Sequence, residues 1–156
     1  MVRHLAVLVV AAVFTVSATV GAAPLSSPDD IVQIYQVQTT FDRAVSTKNL
    51  DLMMSLWYDY ATLSVGDFSG YEGKAQIRDW FVRSAAFKPQ NHWVSPTASP
   101  RIRIDIRGDG ASLYFESHYA DVATKELRAE ATVTATLARI QGRWLIIDAV
   151  FGPAGL

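Results

Sequence analysis

The order of hydrophobic patterns along this chain predicts an α+β fold, with a bent antiparallel sheet packed against N-terminal helices. Three observations carry that prediction. Residues 101–119 (RIRIDIRGDGASLYFESHY) alternate Ile102, Ile104 and Ile106 with Arg101, Arg103, Asp105 and Arg107. That is the period-two signature of a strand with one dry and one wet face. The Gly-Asp-Gly break at 108–110 then turns the chain into a second strand, so the pair reads as a hairpin. Further upstream, Ile31, Ile34, Tyr35, Val37, Gln38, Phe41, Ala44 and Val45 recur at intervals of three and four, which is helical spacing. Finally, helical patterns come first and strand patterns last, the order of an α+β domain with helices on one sheet face.

In chain order, Asp29 and Asp30 follow Pro28 and open a helix over 29–46, their carboxylates meeting the positive end of its dipole. Thr47, Lys48 and Asn49 stop it. Leu50, Met53, Met54, Leu56 and Trp57 give a short second helix, and 58–65 is strand-like. Three glycines in 66–73 predict a loop, and Ile77, Trp80, Phe81 and Ala85 a third helix over 74–87. Residues 88–100 are irregular, with prolines at 89, 96 and 100 around a strand fragment containing His92, Trp93 and Val94. With Asp109-Gly110 as turn pair, Arg103 faces Glu116 and Arg101 faces His118. Strands over 127–140 and 143–151, joined at Gln141-Gly142, complete the chain.

The 156 residues suit one domain with a single core. Half of them are hydrophobic and 19% are charged, which excludes extended disorder. A net charge of −1 argues against a nucleic-acid partner. Residues 1–22 have the layout of a secretory signal peptide: basic Arg3 and His4, an apolar run over 5–16, and small residues ending at Ala22. Cleavage after Ala22 would leave 23–28 as a linker and 29–156 as a domain secreted or otherwise extracytoplasmic. The alternative is a retained anchor, since 5–23 approaches the length of a bilayer span. The sequence has no cysteine, so disulfides and a cysteine-linked lipid are excluded.

The run of motifs from Asn49-Leu50-Asp51 through Asp59-Tyr60-Ala61 and Gly73-Lys74 to Ile77-Arg78 and Trp80-Phe81 resembles the SnoaL-like branch of the nuclear-transport-factor-2-like superfamily. The closing Gly142-Arg143-Trp144-Leu145-Ile146 is similar to that family's last hairpin. The resemblance covers 29–151. It implies a cone-shaped barrel, in which the bent sheet wraps the helices and encloses an apolar pocket, and it implies a homodimer. Family members include isomerases, dehydratases, cyclases, hydrolases and non-enzymatic binding modules, so fold alone does not settle activity. Ketosteroid isomerases in this superfamily use a helical Tyr, a general-base Asp and a protonated acid. The matching positions here hold Phe41, Val65 and Val133 or Thr134, which disfavours that chemistry; Asp67 lies two residues past Val65. Scytalone dehydratase relatives use two pocket histidines, and His92 and His118 are the counterparts by order.

His92 and Asp148 are the candidates for acid–base chemistry. His92 lies beside Trp93, one of the pair pointing inward; imidazole titrates near neutrality. Asp148 is a carboxylate embedded in LIIDAVF, opposite Ala135 if the last turn is Gln141-Gly142. Hairpin alternation puts His118 on the wet face. Phe41, Trp57, Tyr60, Trp80, Trp93, Phe115 and Tyr119 are the expected pocket lining, the remaining aromatics being core. Neither metal-ligand spacing nor a cofactor motif occurs. The expected function is the binding of a small apolar oxygenated molecule, with cofactor-independent dehydratase or isomerase chemistry; the alternative is a non-catalytic exported protein-interaction module. The last two strands offer two weakly charged faces, of which helices cover only one, so the other predicts a homodimer contact.

Overall fold

A computed structural model describes residues 27–66, 68–95 and 99–153, with the side chains of Phe68 and Ser69 excepted. The predicted leader over 1–22 and Asp67 lie outside the described residues.

Helix α1 spans Pro28–Ser46. Ser27 caps it reciprocally: its Oγ accepts from the Asp30 N–H at 3.3 Å, while Asp30 Oδ2 accepts from the Ser27 N–H at 3.1 Å. Pro28 at the first position costs no hydrogen bond there. Asp30 is also the anchor for the far end of the sheet. Its Oδ1 lies 2.6 Å from Arg139 Nη2 and accepts from Trp144 Nε1 at 3.2 Å. Arg139 in turn stacks 4.8 Å above the Trp144 ring. The guanidinium, more than any other neighbour, holds the Asp30 carboxyl down at about 2.

A short helix α2 (Leu50–Met54) leads into β1 (Trp57–Val65), β2 (Phe68–Glu72) and α3 (Gly73–Arg83). The glycine-rich segment predicted as a loop is therefore a strand: β2 pairs back on β1, with Leu63 opposite Tyr71. Gly66 at φ +58° supplies the tight reversal. Next come a single 3₁₀ turn (Ala85–Phe87), β3 (Trp93–Val94), β4 (Ile102–Arg107), β5 (Gly110–Asp121), β6 (Leu127–Ile140) and β7 (Arg143–Pro153). They form one seven-stranded sheet in the order β2-β1-β7-β6-β5-β3, with β4 also on β5. The sheet is antiparallel except where β1 runs parallel to β7, a crossover that the run of sequential hairpins does not foreshadow.

Two registers differ from expectation. The β4–β5 turn pair is Gly108-Asp109, since Arg107 pairs with Gly110. Gly108 takes φ +61°, and the sliding of partners by two residues leaves every side chain on its predicted face. Arg101 therefore meets Glu116 at 3.4 Å, and Arg103 stacks 4.6 Å over Tyr114. In β7 the Gln141-Gly142 turn is as predicted, but Ile147 bulges: Leu137 pairs with Ile146 and Thr136 with Asp148. Ile146, Ala149 and Phe151 consequently all point inward, and Asp148 and Val150 do not.

The concave face carries Leu113, Phe115, Val133, Ala135, Leu137, Ile146 and Ala149, each at most 1% exposed. Helix α1 crosses it. Phe41 stands at its centre, edge-on to Phe115 (5.3 Å), Phe151 (5.6 Å) and Phe81 (6.3 Å). Burial of one such ring contributes about 2–3 kcal/mol. The result is a cone of sheet with a largely aromatic filling.

Candidate functional site

A buried polar cluster is built where α1 meets β5. Helical spacing puts Ile34, Gln38, Phe41, Asp42 and Val45 along one buried stripe of α1. Strand alternation puts Ser117 and Tyr119 on the same inward face as Leu113 and Phe115. The two patterns bring Asp42 against β5. Asp42 is 7% exposed, and Gln38 and Ser117 are 1% exposed each. Gln38 Nε2 donates to Asp42 Oδ2 at 2.5 Å, and Ser117 Oγ donates to Oδ1 at 2.7 Å. Ser95 and Tyr119 add further hydrogen bonds to the same carboxylate.

Those four donors favour the charged form, but desolvation outweighs them and pushes the Asp42 carboxyl up to about 6. Tyr119 is raised too, first by burial and then by the charge of Asp42, which keeps its phenol neutral. The pair is thus a carboxyl group poised near neutrality beside a protonated hydroxyl donor, the combination proton transfer needs.

The segment after the 3₁₀ turn closes this end of the cone. Lys48 (φ +55°) folds back so that its Nζ donates to the carbonyls of Val45 (3.1 Å) and Trp93 (3.0 Å). Burial lowers its pKa. Ser95 N–H donates to Ser46 Oγ at 2.9 Å. Strand β3 is hence tied to the end of α1 on one side and to Ala120 and Asp121 of β5 on the other.

Of the residues expected to line the pocket, Phe41, Trp57, Phe115 and Tyr119 are buried in the interior, and Trp80 and Trp93 are half-buried against it. Tyr60 is not there: it is 79% exposed on the outer side of β1, its ring 5.5 Å from Tyr58. The two candidates for acid–base chemistry are also outside. His92 is exposed, because Trp93 takes the inward position and His92 offers only its carbonyl, to Val122 N–H at 3.0 Å. Asp148 lies on the outer face because of the Ile147 bulge; it accepts from Thr62 Oγ1 of the neighbouring strand. His118 is on the outer face as well, 3.9 Å from Glu130. None of these meets Asp42.

Asp42 was legible in principle. Gln38 already stands on the apolar stripe, and Asp42 follows it by one turn, so two polar groups on a buried face had to satisfy each other. Among the described residues no group of three or more His, Cys, Asp or Glu gathers to hold a metal, and no helix is long and apolar enough to cross a membrane.

Comparison with known proteins agrees with this fold. No curated protein matches the sequence. Among solved structures, a cystatin-like-fold protein of Nostoc punctiforme superposes with a TM-score of 0.69 at 14% identity, over 81% of this chain and 92% of the other. A ketosteroid isomerase-like protein of Erwinia carotovora atroseptica gives 0.64 at 12% identity, over 83% and 100%. The hexachlorocyclohexane dehydrochlorinase LinA-type3 of Novosphingobium barchaimii gives 0.65 at 15% identity, over 81% and 88%. At such identities these likenesses establish the fold, which is the cone expected from the sequence. A family model described as the SnoaL-like domain matches residues 26–149, and the chain belongs to that family.

Proposed function

We propose that the cone binds a small apolar oxygenated molecule and that Asp42 moves a proton on it without a cofactor. The observation carrying this reading is a carboxyl group in an aromatic interior, raised to about 6 and hydrogen-bonded to a neutral phenol. In the reaction proposed, the Asp42 carboxylate takes the proton from a carbon next to a carbonyl. The C–H electrons pass to the carbonyl oxygen as an enolate. In a β,γ-unsaturated ketone, return of the proton to the far carbon of the dienolate is an isomerisation; in a β-hydroxy ketone, departure of the hydroxyl, which leaves as water with the proton that Asp42 took, is a dehydration. Structural neighbours named for an isomerase-like protein and a dehydrochlorinase support the class of chemistry.

The test uses 1-tetralone in deuterated water, with proton NMR following exchange at the carbon beside its carbonyl. Exchange should accelerate with a pH profile inflecting near 6, vanish in Asp42→Asn, and survive in His92→Ala. Exchange unaffected by Asp42→Asn would refute the assignment.

The protein is further proposed to be exported and to pair with a second copy through the outward face of β6 and β7. Thr134, Thr136 and Val150 are exposed there, with few charges to keep the face apart from its like.

A further inference from the structure

Strand β1 leaves the sheet near its start and then returns to it. Trp57 lies opposite Ile146 of β7 and Thr62 opposite Asp148, so residues 58–61 face the single residue Ile147. On the other edge, pairing with β2 begins only at Thr62, opposite Glu72. Trp57 and Ala61 keep the inward positions, and alternation turns Tyr58 and Tyr60 outward. Tyr60 is exposed despite its size, and its ring stands edge-on to that of Tyr58. A large ring left so open adds little to the core, which makes the pair informative about contacts outside the chain.

Beside Tyr58 a hollow of about 260 Å³ opens between the start of β1, the start of α3 and the β6–β7 turn. Asp59, Lys74, Gln141 and Arg143 converge on it from those three places. Lys74 Nζ lies 3.5 Å from Asp59 Oδ1, so these two charges offset each other. Arg143 is different. Its Nη2 donates to the Ser55 carbonyl at 3.3 Å, and among the described residues no carboxylate forms an ion pair with it. The hollow therefore keeps one uncompensated positive charge, on a planar guanidinium with several donors to offer.

We propose that this outer corner of the cone binds a uronic acid, a pyranose ring carrying a carboxylate. The site shares no residue with the Asp42 cluster and stands independently of the chemistry assigned there. The apolar C–H face of the pyranose lies on the Tyr58 ring, and Tyr60 extends that aromatic surface. The ligand carboxylate meets Arg143, whose fork of donors matches it, with Lys74 as a second cation. The ring hydroxyls donate to the Asp59 carboxylate and exchange hydrogen bonds with the Gln141 amide. A neutral sugar lacks the group that Arg143 recognises, and an aromatic acid lacks the hydroxyls.

The test titrates sodium D-glucuronate, D-glucose and sodium benzoate separately into the purified protein at constant ionic strength, following the tyrosine ring resonances by NMR. Spectra of Tyr58→Phe and Tyr60→Ala identify the two rings. Both should shift saturably with glucuronate, while glucose and benzoate should each bind roughly tenfold more weakly or worse. Arg143→Gln should bring glucuronate down to the level of glucose, and Tyr60→Ala should weaken both sugars. Arg103→Gln, which removes the same charge from β4, should leave binding unchanged. Tyr60, Arg103 and Arg143 are all exposed, so these variants keep the fold. Absence of saturable shifts, benzoate binding as tightly as glucuronate, or equal losses in Arg143→Gln and Arg103→Gln would overturn the proposal. So would a fall in solution mass by light scattering in Tyr60→Ala, which would make the tyrosine pair a contact between copies of this chain.

Discussion

Replacing Asp42 by Asn should make the protein's stability much less dependent on pH, with a sign opposite to that of most carboxylates. Burial raises the folded-state value from 3.8 to about 6, so the folded protein holds the proton more tightly than the unfolded chain does. The resulting stabilisation is complete below about 3.8 and is lost as pH rises through about 6. A displacement of about two pKa units corresponds to about 3 kcal/mol. Asn cannot ionise. Its amide would face the Gln38 Nε2, and a turn of the Gln38 amide would present the otherwise unmatched Oε1 instead. The variant should therefore match the wild type below about pH 4 and exceed it by roughly 1–3 kcal/mol above pH 6. Urea unfolding between pH 3.5 and 8.5 reads this as a midpoint difference of about 1 M that opens between about pH 4 and 6 and is constant above. Subtracting the two proteins cancels the titration of all other groups. Parallel curves for the two proteins would refute the claim that desolvation dominates at Asp42.

At the other end of the cone the sign reverses: the Asp30 carboxyl, held near 2 by Arg139, contributes stability above its unfolded value near 4 that fades as pH falls towards 2. Arg139→Ala should lower the melting temperature at pH 7 and flatten that acid limb, as thermal scans between pH 2 and 7 would reveal. Thr134→Arg on the outward face should halve the solution mass by light scattering; a wild type that is monomeric at high micromolar concentration would remove the basis for the proposed pairing. Mass spectrometry of exported material should find Ala23 as the first residue, and an intact Met1 would contradict cleavage.

Local periodicity made most of the architecture readable. The stripe through Ile34, Gln38, Phe41 and Val45 gave α1, and the isoleucine alternation gave β4 and the face assignment of its hairpin. Even the one-residue shift of the β4–β5 turn, which slides partners by two, left those faces intact, because side-chain direction depends only on parity. What stayed hidden was non-local. The Ile147 bulge reversed Asp148 from the inner to the outer face, and nothing in LIIDAVF marks which residue will be the extra one. Strand β2 was concealed by glycines that suit a loop equally well. The candidate site was hidden for a different reason: Asp42 is an acidic residue within a helical stripe, where a carboxylate ordinarily marks the solvated face. Only its burial against β5, whose Ser117 lies 75 residues away in sequence, raises that carboxyl.

The parallel contact between β1 and β7 sets the order in which the protein can assemble. Thr62 and Asp148 are 86 residues apart, yet β1 reaches the main sheet only through β7. Helix α3 packs on β1 and β2, so an incomplete chain would hold these three as a separate unstable layer. Closing so long a loop is entropically slow, and it comes after the local hairpins. A nascent chain lacking β7 therefore has no closed cone. The cone should close only once β7 is available to pair with β1 and β6.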